Sequence, residues 1–427
     1  MRTMGEGDSG SIVELLQHGL RRAGITKAVP DGSFGPNTAE HLRIFQRENG
    51  LKEDAICGPA TWAVLYPYLI GTQMHVVKPG EKQAGIAGNA GIRVESLRAA
   101  NPGLGTAEPE EGQVLKVPTP HPVVPDDIQM SFDLLNLLVD GLQARYPFVS
   151  VHTIGQSVMG RPIYRLTLGQ GSTHCGYSAA HHANEWLTCT LVMKFLEQYA
   201  KGYAENSTFS GVPWSRLYHN YTLDILPLIN PDGVDLVTDA LAHSNPYWIE
   251  AKEIADAFPQ LPFPNGWKAN IRGVDLNLQY PASWEQAKEI KYKQGYDRPA
   301  PRDFVGEAPL TEPESIALAA YTKQADYDLI LAYHSQGKLI FWKYKNYNPA
   351  GSYVLALRMQ AVSGYIPMTT PDESANAGYK DWFIQEYNRP GYTIEVGTGS
   401  SPLPLEQFPE IYENNLGILL LGMIGLS

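Results

Sequence analysis

The stretch YDLILAYHSQG, residues 327–337, joins an apolar run of strand length to a histidine and a loop-forming sequence. Short apolar runs that end at turn-forming residues are typical of strands buried in a sheet. His334 closes the run, and Ser335, Gln336 and Gly337 indicate the loop beyond it. We therefore expect His334 at the rim of a buried sheet.

Similar strand-like runs recur on either side, at YTLDILPLI (221–229) and GYTIEVG (391–397). They alternate with helical patterns such as SFDLLNLLVDGLQARYP (131–147). This alternation predicts an α/β domain with a largely parallel sheet over residues 131–427. Functional side chains are then expected at the strand ends and in the loops that follow them. A chain of 427 residues is longer than a single hydrophobic core usually holds. We therefore expect further domains before residue 131.

The segment HHANEW (181–186) carries candidate metal ligands. His182 and Glu185 are three residues apart, which places both on one side of a turn, and His334 is the natural third ligand. Two imidazoles and one carboxylate leave an open position for water, as in hydrolytic zinc sites. His181 with Glu185 would serve a helix almost as well, so spacing alone leaves the choice of histidine open.

Glu395 lies inside the apolar run GYTIEVG. An unpaired carboxylate in such a segment costs free energy, which suggests a functional role. Such a zinc site needs a base to move protons, and Glu395 is the candidate.

Residues 8–70 predict a small helical domain. Ser11 and Glu14 form a capping-box pattern, and the repeated FGPNT (34–38) and CGPAT (57–61) each indicate a Gly-Pro turn that opens a helix. The sequence DGSFGPNTAEHLRIFQRENGL followed by DAICGPATW closely resembles the peptidoglycan-binding domain of the three-helix type.

Residues 74–118 contain two strand-like ends, MHVVKPG and GQVLKVP, around two short helical stretches. This resembles a LysM domain, a small α+β module that grips N-acetylglucosamine-containing glycans. Residues 81–84 depart from the LysM pattern, which leaves open a spacer that no longer binds glycan. The Pro-rich segment 119–130 predicts an extended, semi-rigid linker.

The segments HHANEW, PLINPDGVDL, GWKANIRGVDLNLQY, LAYHSQG and GYTIEVG occur in the order and approximate spacing of the zinc carboxypeptidase A-like metallopeptidases. More narrowly, WKANIRGVDLN, AYHSQG and YKDWFIQEYNRPGYTIEVG resemble the bacterial γ-D-glutamyl-L-diamino acid endopeptidases. The resemblance implies a carboxypeptidase-like central mixed, largely parallel sheet flanked by helices. It also implies zinc bound by His182, Glu185 and His334, with Glu395 as general base and Asn277 as a substrate-binding residue.

Four further positions bear on specificity. Lys268 stands where the family has an oxyanion-stabilising arginine and still offers a point cation, with Arg272 as the runner-up. Leu278 stands where carboxypeptidases clamp a free α-carboxylate with arginine, so ordinary exopeptidase selection should be lost. Lys380 lies where the family builds its side-chain pocket, and either receives a substrate carboxylate or is a solvated lysine.

The sequence thus predicts a zinc metallopeptidase that cuts peptidoglycan stem peptides between the γ-carboxyl of D-glutamate and meso-diaminopimelate or lysine. Its expected partners are peptidoglycan, the stem peptides and N-acetylglucosamine-containing glycan. Two alternatives remain open: a zinc carboxypeptidase that trims C-terminal residues of wall peptides, and a non-catalytic peptidoglycan-binding protein with a decayed peptidase domain.

The formal charge of −12 argues against nucleic acid or an anionic membrane surface as a partner. No apolar signal core is visible at the N-terminus, and the run LGILLLGMIGL (416–426) is too short to span a bilayer. We expect a wall- or spore-associated enzyme, released after cytoplasmic synthesis, or one that recycles wall fragments. The three cysteines, without metal spacing, are expected to be buried apolar fillers.

Overall fold

The computed structural model describes residues 1–425, so the last two residues of the predicted 131–427 domain, and the end of the 416–426 run, lie outside the described residues. Residues 1–150 and 196–215 form one unit, and residues 151–195 with the chain from 216 onward form a second. The predicted domain boundaries stay predictions. None of the helices in the described part of the chain is long and apolar enough to cross a membrane.

The helices and strands alternate along most of the chain. The helices are α1 (Ser11–Arg22), α2 (Pro36–Glu48), α3 (Pro59–Ile70), α4 (Gln83–Asn89), α5 (Val94–Ala100), α6 (Phe132–Arg145), α7 (Leu187–Ala204), α8 (Trp214–Asn220), α9 (Pro231–Val237), α10 (Pro246–Asp256), α11 (Trp284–Lys293), α12 (Pro313–Ala325), α13 (Ser352–Ser363), α14 (Tyr379–Tyr387) and α15 (Phe408–Ile424). The strands are β1 (Thr72–Val76), β2 (Val114–Pro118), β3 (Ser150–Gln156), β4 (Pro162–Gly169), β5 (Thr173–Ala179), β6 (Thr208–Phe209), β7 (Val212–Pro213), β8 (Tyr221–Leu226), β9 (Leu329–Ser335), β10 (Leu339–Phe341), β11 (Ile366–Met368) and β12 (Gly391–Val396).

The first unit begins with the predicted three-helix segment. Pro36 and Pro59 open α2 and α3 directly after Gly35 and Gly58, as the Gly-Pro repeat predicts. Proline suits the first turn of a helix because its fixed φ is helical and its missing N–H has no intrahelical acceptor there. The helices bury apolar side chains against one another, including Leu15, Leu16, Leu20, Leu42, Phe45, Trp62 and Leu65.

The capping box predicted at the start of α1 is wrong. Gly10 is the N-cap, Ser11 is the first helical residue, and no side chain caps the helix. The carboxylate of Glu14 instead accepts hydrogen bonds from the backbone N–H of Gln129 at 2.6 Å and from its side-chain amide at 3.1 Å. The carboxylate that the local pattern assigned to capping α1 therefore binds a segment 115 residues away.

The predicted α+β module follows. β1 and β2 pair antiparallel, with His75 opposite Leu115, and α4 and α5 lie between them in sequence. A small core holds the module together, formed by Val77, Ile86, Ala87, Leu97, Leu104 and Leu115. The pattern of two strands and two helices is confirmed.

The Pro-rich segment 119–130 is exposed in part and buried at its centre. Val123 and Val124 are fully buried. Their backbone N–H groups donate to the two carboxylate oxygens of Glu197 on α7, at 2.6 and 2.9 Å. A carboxylate and an apolar site therefore hold this part of the segment in place, while the extended, semi-rigid linker over residues 119–130 stays a prediction.

Arg145 at the end of α6 ties the same region to the β1 end of the α+β module. Its guanidinium donates to the carbonyl of Gly71 through Nε at 3.1 Å and Nη2 at 2.6 Å, and lies 3.8 Å from Glu197. Gly71 ends α3 with φ of 65°, and a Cβ there would lie 2.2 Å from Arg145 Nη2. Glycine is required at this position both for its backbone and for this close approach.

The second unit is built on an eight-stranded sheet in the order β11-β10-β12-β9-β5-β8-β4-β3. The four central strands β12, β9, β5 and β8 are parallel, whereas β10 and β4 run antiparallel to the central strands beside them. Helices flank the sheet, and α12 and α14 contribute Leu318, Trp382 and Phe383 to its core. The predicted mixed, largely parallel α/β sheet is confirmed.

All three cysteines are buried with free thiols, as expected. Burial raises the pKa of each thiol well above its ordinary value. Such thiols remain protonated at neutral pH and behave as apolar side chains.

The packing of segment 119–130 yields the first prediction. Glu197→Ala should destabilise the protein by about 3–5 kcal/mol, because it leaves Arg145 without its buried partner and two buried N–H groups without acceptors. Differential scanning calorimetry should show this as a lower Tm. Glu48→Ala, at an exposed position on α2, is the control and should change stability by less than about 0.5 kcal/mol. An unchanged Tm for Glu197→Ala would contradict the structural role given to this carboxylate.

Candidate metal centre

Three side chains from two neighbouring strand ends converge at the rim of the sheet. A short 3-10 turn (Ala183–Glu185) follows β5, with His182 directly before it and Glu185 at its end, and His334 is the penultimate residue of β9. His182 Nδ1 lies 2.9 Å from Glu185 Oε1, and His334 Nδ1 lies 3.0 Å from Glu185 Oε2. The two Nδ1 atoms are 3.2 Å apart. These nitrogen and carboxylate donors, all within 4.8 Å of one another, fit a zinc ion.

Local hydrogen bonds explain why HHANEW adopts this turn. The Thr188 hydroxyl accepts from the N–H of Ala180 at 3.0 Å and donates to the carbonyl of Glu185 at 2.7 Å. The N–H of Ala183 donates to the carbonyl of Lys268 at 3.0 Å. The turn is therefore fixed both to the start of α7 and to the segment that carries Lys268.

His181 takes no part in the cluster, so the structure resolves the choice that spacing leaves open. Its ring is fully buried, and its centroid lies 5.4 Å from that of His334 and 5.6 Å from that of Tyr379. Neither ring nitrogen has a hydrogen-bond partner among the described groups. Burial, and next the neighbouring imidazoles, lower the pKa of His181 well below its ordinary value, so the ring is neutral.

Asp275 is a site residue that the sequence reasoning missed. Its Oδ1 lies 3.2 Å from Nε2 of His182, on the side of the ring opposite the cluster. Its two oxygens also accept the backbone N–H groups of Asn277 and Asp303, at 3.1 and 3.2 Å. Although burial raises the pKa of Asp275, His182 and Lys268 lower it below the ordinary carboxyl value. An ionised carboxylate on the outer nitrogen fixes the tautomer and orientation of a metal-binding histidine.

Lys268, the candidate for the oxyanion-stabilising position, reaches the cluster. Its Nζ lies 3.1 Å from Glu185 Oε1. The adjacent Trp267 is fully buried, and the backbone N–H groups of Lys268 and Ala269 donate to the carbonyl of Pro301 at 2.7 and 3.0 Å. The backbone around Lys268 is therefore held on both sides.

Arg272 is not brought to this site. Its side chain is 53% exposed, lies 3.7 Å from Glu312, and does not line the cavity beside the cluster. The arginine that the sequence offers as the runner-up therefore sits in an exposed turn, which leaves Lys268 as the cation at the cluster.

Glu395 on β12 stands directly opposite His334 in the register of the parallel pair β12–β9. Its carboxyl is partly exposed to the cavity beside the cluster. Burial, and next the negative charge of Glu185, raise its pKa to about 8, against the opposing effect of Lys268 and His182. A carboxyl with such a pKa accepts and returns protons near neutral pH.

Asn277 and Lys380 also line the cavity. The Asn277 side-chain oxygen accepts the N–H of Tyr379 at 3.0 Å. The side-chain amide N–H groups of Asn277 have no acceptor among the described groups. Lys380 is 4% exposed, so the interpretation as a solvated lysine is wrong. Its ammonium donates to the carbonyl of Lys343 at 2.9 Å and to Thr370 Oγ1 at 3.3 Å, and pairs with Asp381. A substrate carboxylate at Lys380 would have to replace one of these acceptors.

The cavity has a volume of about 630 Å³ and is unusually rich in charge. Apolar Leu278 lies on its wall beside Asn277. The charged side chains on its wall, apart from the cluster, are Lys268, Lys291, Arg302, Lys380, Asp275, Asp303, Asp381 and Glu395. Besides Asp275, the sequence reasoning missed Lys291 on α11, Asp381 on α14, and Arg302 and Asp303 in a loop, because no local pattern places these residues at the site.

Comparison with known proteins identifies related sequences for each part of the chain. The zinc carboxypeptidase family matches residues 135–417, a putative peptidoglycan-binding domain matches residues 9–65, and LysM matches residues 75–118. The γ-D-glutamyl-L-diamino acid endopeptidase 1 of Lysinibacillus sphaericus is 42% identical over 299 residues, which cover 69% of this chain and 73% of that protein. The Bacillus subtilis protein YqgT is 40% identical over 276 residues, covering 64% of this chain and 72% of that protein.

A solved structure shares the fold. The crystal structure of thrombin activatable fibrinolysis inhibitor matches with a TM-score of 0.55 at 17% identity, over 70% of this chain and 75% of that one. At this identity the likeness supports the architecture of the sheet and helices alone.

The contact between Asp275 and His182 leads to a prediction about metal affinity. Asp275→Asn should weaken zinc binding by about 10–100-fold, because a neutral amide neither fixes the imidazole tautomer nor raises its basicity. Competition with a chromophoric chelator measures the affinity. The matched control is Asp297→Asn, an exposed aspartate away from the cavity, which should bind zinc as the wild type does. Equal affinities for the two variants would refute the role of Asp275.

Proposed function

The chain belongs to the zinc carboxypeptidase family, and from that premise we propose that it is a peptidoglycan endopeptidase that hydrolyses the bond between the γ-carboxyl of D-glutamate and an L-diamino acid. Zinc is the cofactor of this metallopeptidase family, and the donors of His182, Glu185 and His334 suit it. The finer assignment concerns which bond the site selects.

Leu278 is the observation that carries the proposal. It lies on the cavity wall directly after Asn277 and packs with Trp284, Val305 and Ala377. An apolar side chain offers no charge-assisted hydrogen bond to the terminal carboxylate of a peptide. No cation at this position can therefore select a substrate by its C-terminal carboxylate. This favours cleavage within a stem peptide.

Two similarities support the same assignment. The relative from Lysinibacillus sphaericus is, by its name, a γ-D-glutamyl-L-diamino acid endopeptidase, and its similarity extends over 69% of this chain. The N-terminal matches to peptidoglycan-binding and LysM domains point to the same polymer. We propose that these modules hold the enzyme on the wall, the LysM module on N-acetylglucosamine-containing glycan. Such tethering raises the local concentration of stem peptides without tight binding by either module.

The side chains suggest how the reaction proceeds. Zinc held by His182, Glu185 and His334 would supply Lewis acidity and would lower the pKa of water to near 7. Glu395 would take a proton from the attacking water and return it to the nitrogen of the leaving amine as the amide bond breaks. Lys268 would donate a hydrogen bond to the acyl oxygen as negative charge develops there. In this scheme Asp275 keeps His182 in position, and Asn277 offers amide donors to the substrate.

The role of Glu395 can be tested separately from metal binding. Glu395→Gln should lower kcat by about 10²–10⁴-fold, because the amide cannot take up a proton at neutral pH. Zinc content should stay at the wild-type value, since Glu395 is not one of the three clustered donors. Glu406→Gln, at an exposed position, should retain full activity. A Glu395→Gln enzyme with a near-normal kcat would show that the proton acceptor is another group.

The bond itself is identified by the products. With L-Ala-γ-D-Glu-meso-diaminopimelyl-D-Ala as substrate, mass spectrometry should detect L-Ala-D-Glu and diaminopimelyl-D-Ala. Chelation should stop the reaction, and added zinc should restore it. Release of D-Ala alone would instead support a carboxypeptidase. A zinc-free protein whose three candidate ligands are ordered and which leaves the peptide intact would support a decayed, binding-only domain.

A further inference from the structure

Arg302 lies on the cavity wall and has no part in the reaction described above. Its Nε donates to Oδ2 of Asp303. The other oxygen of Asp303 accepts from Lys291 Nζ at 2.6 Å, and the backbone N–H of Asp303 donates to Asp275 at 3.2 Å. Asp303 thus connects Arg302 to the residue that orients His182.

This arrangement leaves the outer edge of the guanidinium available. Nη1 and Nη2 of Arg302 have no hydrogen-bond partner among the described groups, and the side chain is 38% exposed. Because Nε is anchored, the plane of the guanidinium is fixed without using the two nitrogens that bind a carboxylate in the bidentate manner. Arg302 is therefore a preformed site for a planar anion.

The position of Arg302 relative to Lys268 shows which part of the site it serves. Pro301, its chain neighbour, accepts the backbone N–H groups of Lys268 and Ala269. The side chains of Arg302 and Lys268 also line the same cavity. An anion at Arg302 would therefore lie near the cation proposed to act on the acyl oxygen.

The other cavity cations are already engaged. Lys291 pairs with Asp303, and Lys380 uses its donors on Lys343, Thr370 and Asp381. Lys268 pairs with Glu185 in the metal cluster. Of the four cationic side chains on this wall, Arg302 alone presents two adjacent donors without a described acceptor.

The chemistry of a γ-D-glutamyl bond supplies a matching anion. Since the side-chain carboxyl forms the amide, the α-carboxylate of the glutamyl residue stays free on the acyl side of the scissile bond. In an α-linked peptide the α-carboxyl is itself the acyl group of the scissile bond, so no free α-carboxylate remains on that side. On the amine side, the L-carboxyl of the diamino acid is free only where the stem ends there, and a second carboxylate exists in diaminopimelate but not in lysine. The glutamyl α-carboxylate is the anion that γ-linkage itself leaves free on the acyl side.

We propose that the outer edge of Arg302 binds the α-carboxylate of the γ-D-glutamyl residue and thereby selects γ-linked over α-linked bonds. This inference rests on the proposed endopeptidase function and names a residue that determines its specificity. Arg302 is neither a metal ligand nor a group that transfers protons in the proposed reaction. Its effect is therefore on recognition of the acyl residue.

The test compares two substrates that differ in one group. They are L-Ala-γ-D-Glu-meso-diaminopimelyl-D-Ala and the same peptide with D-isoglutamine, in which a neutral carboxamide replaces the α-carboxylate. A hydrogen-bonded charge pair contributes about 1.5–3 kcal/mol, so the zinc-loaded full-length wild type should prefer the carboxylate by about 10–100-fold in kcat/KM. Arg302→Gln should lose this preference by slowing on the carboxylate substrate while changing little on the carboxamide.

Two variants and two structural measurements serve as controls. Arg298→Gln changes an exposed arginine of the same loop that lies outside the cavity wall, and should keep the wild-type preference. Arg302→Lys should keep a part of the preference, since it retains charge without bidentate geometry. Zinc content and Tm of Arg302→Gln should match the wild type, which separates recognition from folding.

Each contrary result has a distinct meaning. Equal slowing of Arg302→Gln on both substrates, or an unchanged preference, would overturn the proposal while leaving the endopeptidase function intact. A second peptide pair, ending in diaminopimelate or its amide at the L-carboxyl, tests the amine side. If Arg302→Gln erased only that preference, the anion would be the diamino acid carboxylate and the proposal would fail. Release of D-Ala alone by the wild type would overturn the proposed function itself.

Discussion

The parallel pairing of β9 and β12 is the constraint on which the site depends. Its register sets His334 beside Glu395, so one row of backbone hydrogen bonds fixes the distance between a candidate ligand and the candidate base. β5 lies on the other side of β9 and delivers HHANEW to the same edge. A slip of one residue in either pairing would turn His334 or Glu395 to the opposite face of the sheet. The buried, apolar character of these strands therefore protects the chemistry as well as the fold.

Charge in this cavity is organised in pairs, which explains how so many ionised groups are tolerated beneath the surface. Asp275 faces His182, Asp303 faces Lys291 and Arg302, and Asp381 faces Lys380. Buried charges are costly unless each has a partner and hydrogen bonds. The pairs also link neighbouring functions. The carboxylate of Asp303 accepts a hydrogen bond from Arg302, and the backbone N–H of Asp303 donates to the carboxylate of Asp275. Asp303 thus links the arginine proposed to recognise substrate with the carboxylate that orients His182.

The sequence predicts the parts of this structure that follow from periodic or local patterns. Strand-like runs locate His334 and Glu395, and the Gly-Pro repeat locates the starts of α2 and α3. Prediction from the sequence fails where the partner of a residue lies far along the chain. Glu14 looks like a helix cap but binds Gln129, and nothing in the Pro-rich pattern of 119–130 reveals that Glu197 binds the backbone of that segment. Likewise, nothing local distinguishes Arg302 on the cavity wall from exposed Arg272, because only the fold of the loop decides which one reaches the site.

Leu278 and Arg302 together suggest how specificity can change while the metal ligands and the general base stay the same. Removing a cation from the position after Asn277 takes away the anchor for a terminal carboxylate, yet leaves the three clustered donors and Glu395 untouched. Placing a preformed guanidinium edge near Lys268 favours a substrate whose carboxylate lies on the acyl side instead. Because binding energy at such an anchor aligns the scissile bond with the attacking water, moving the cation changes which bond is cut without altering how it is cut.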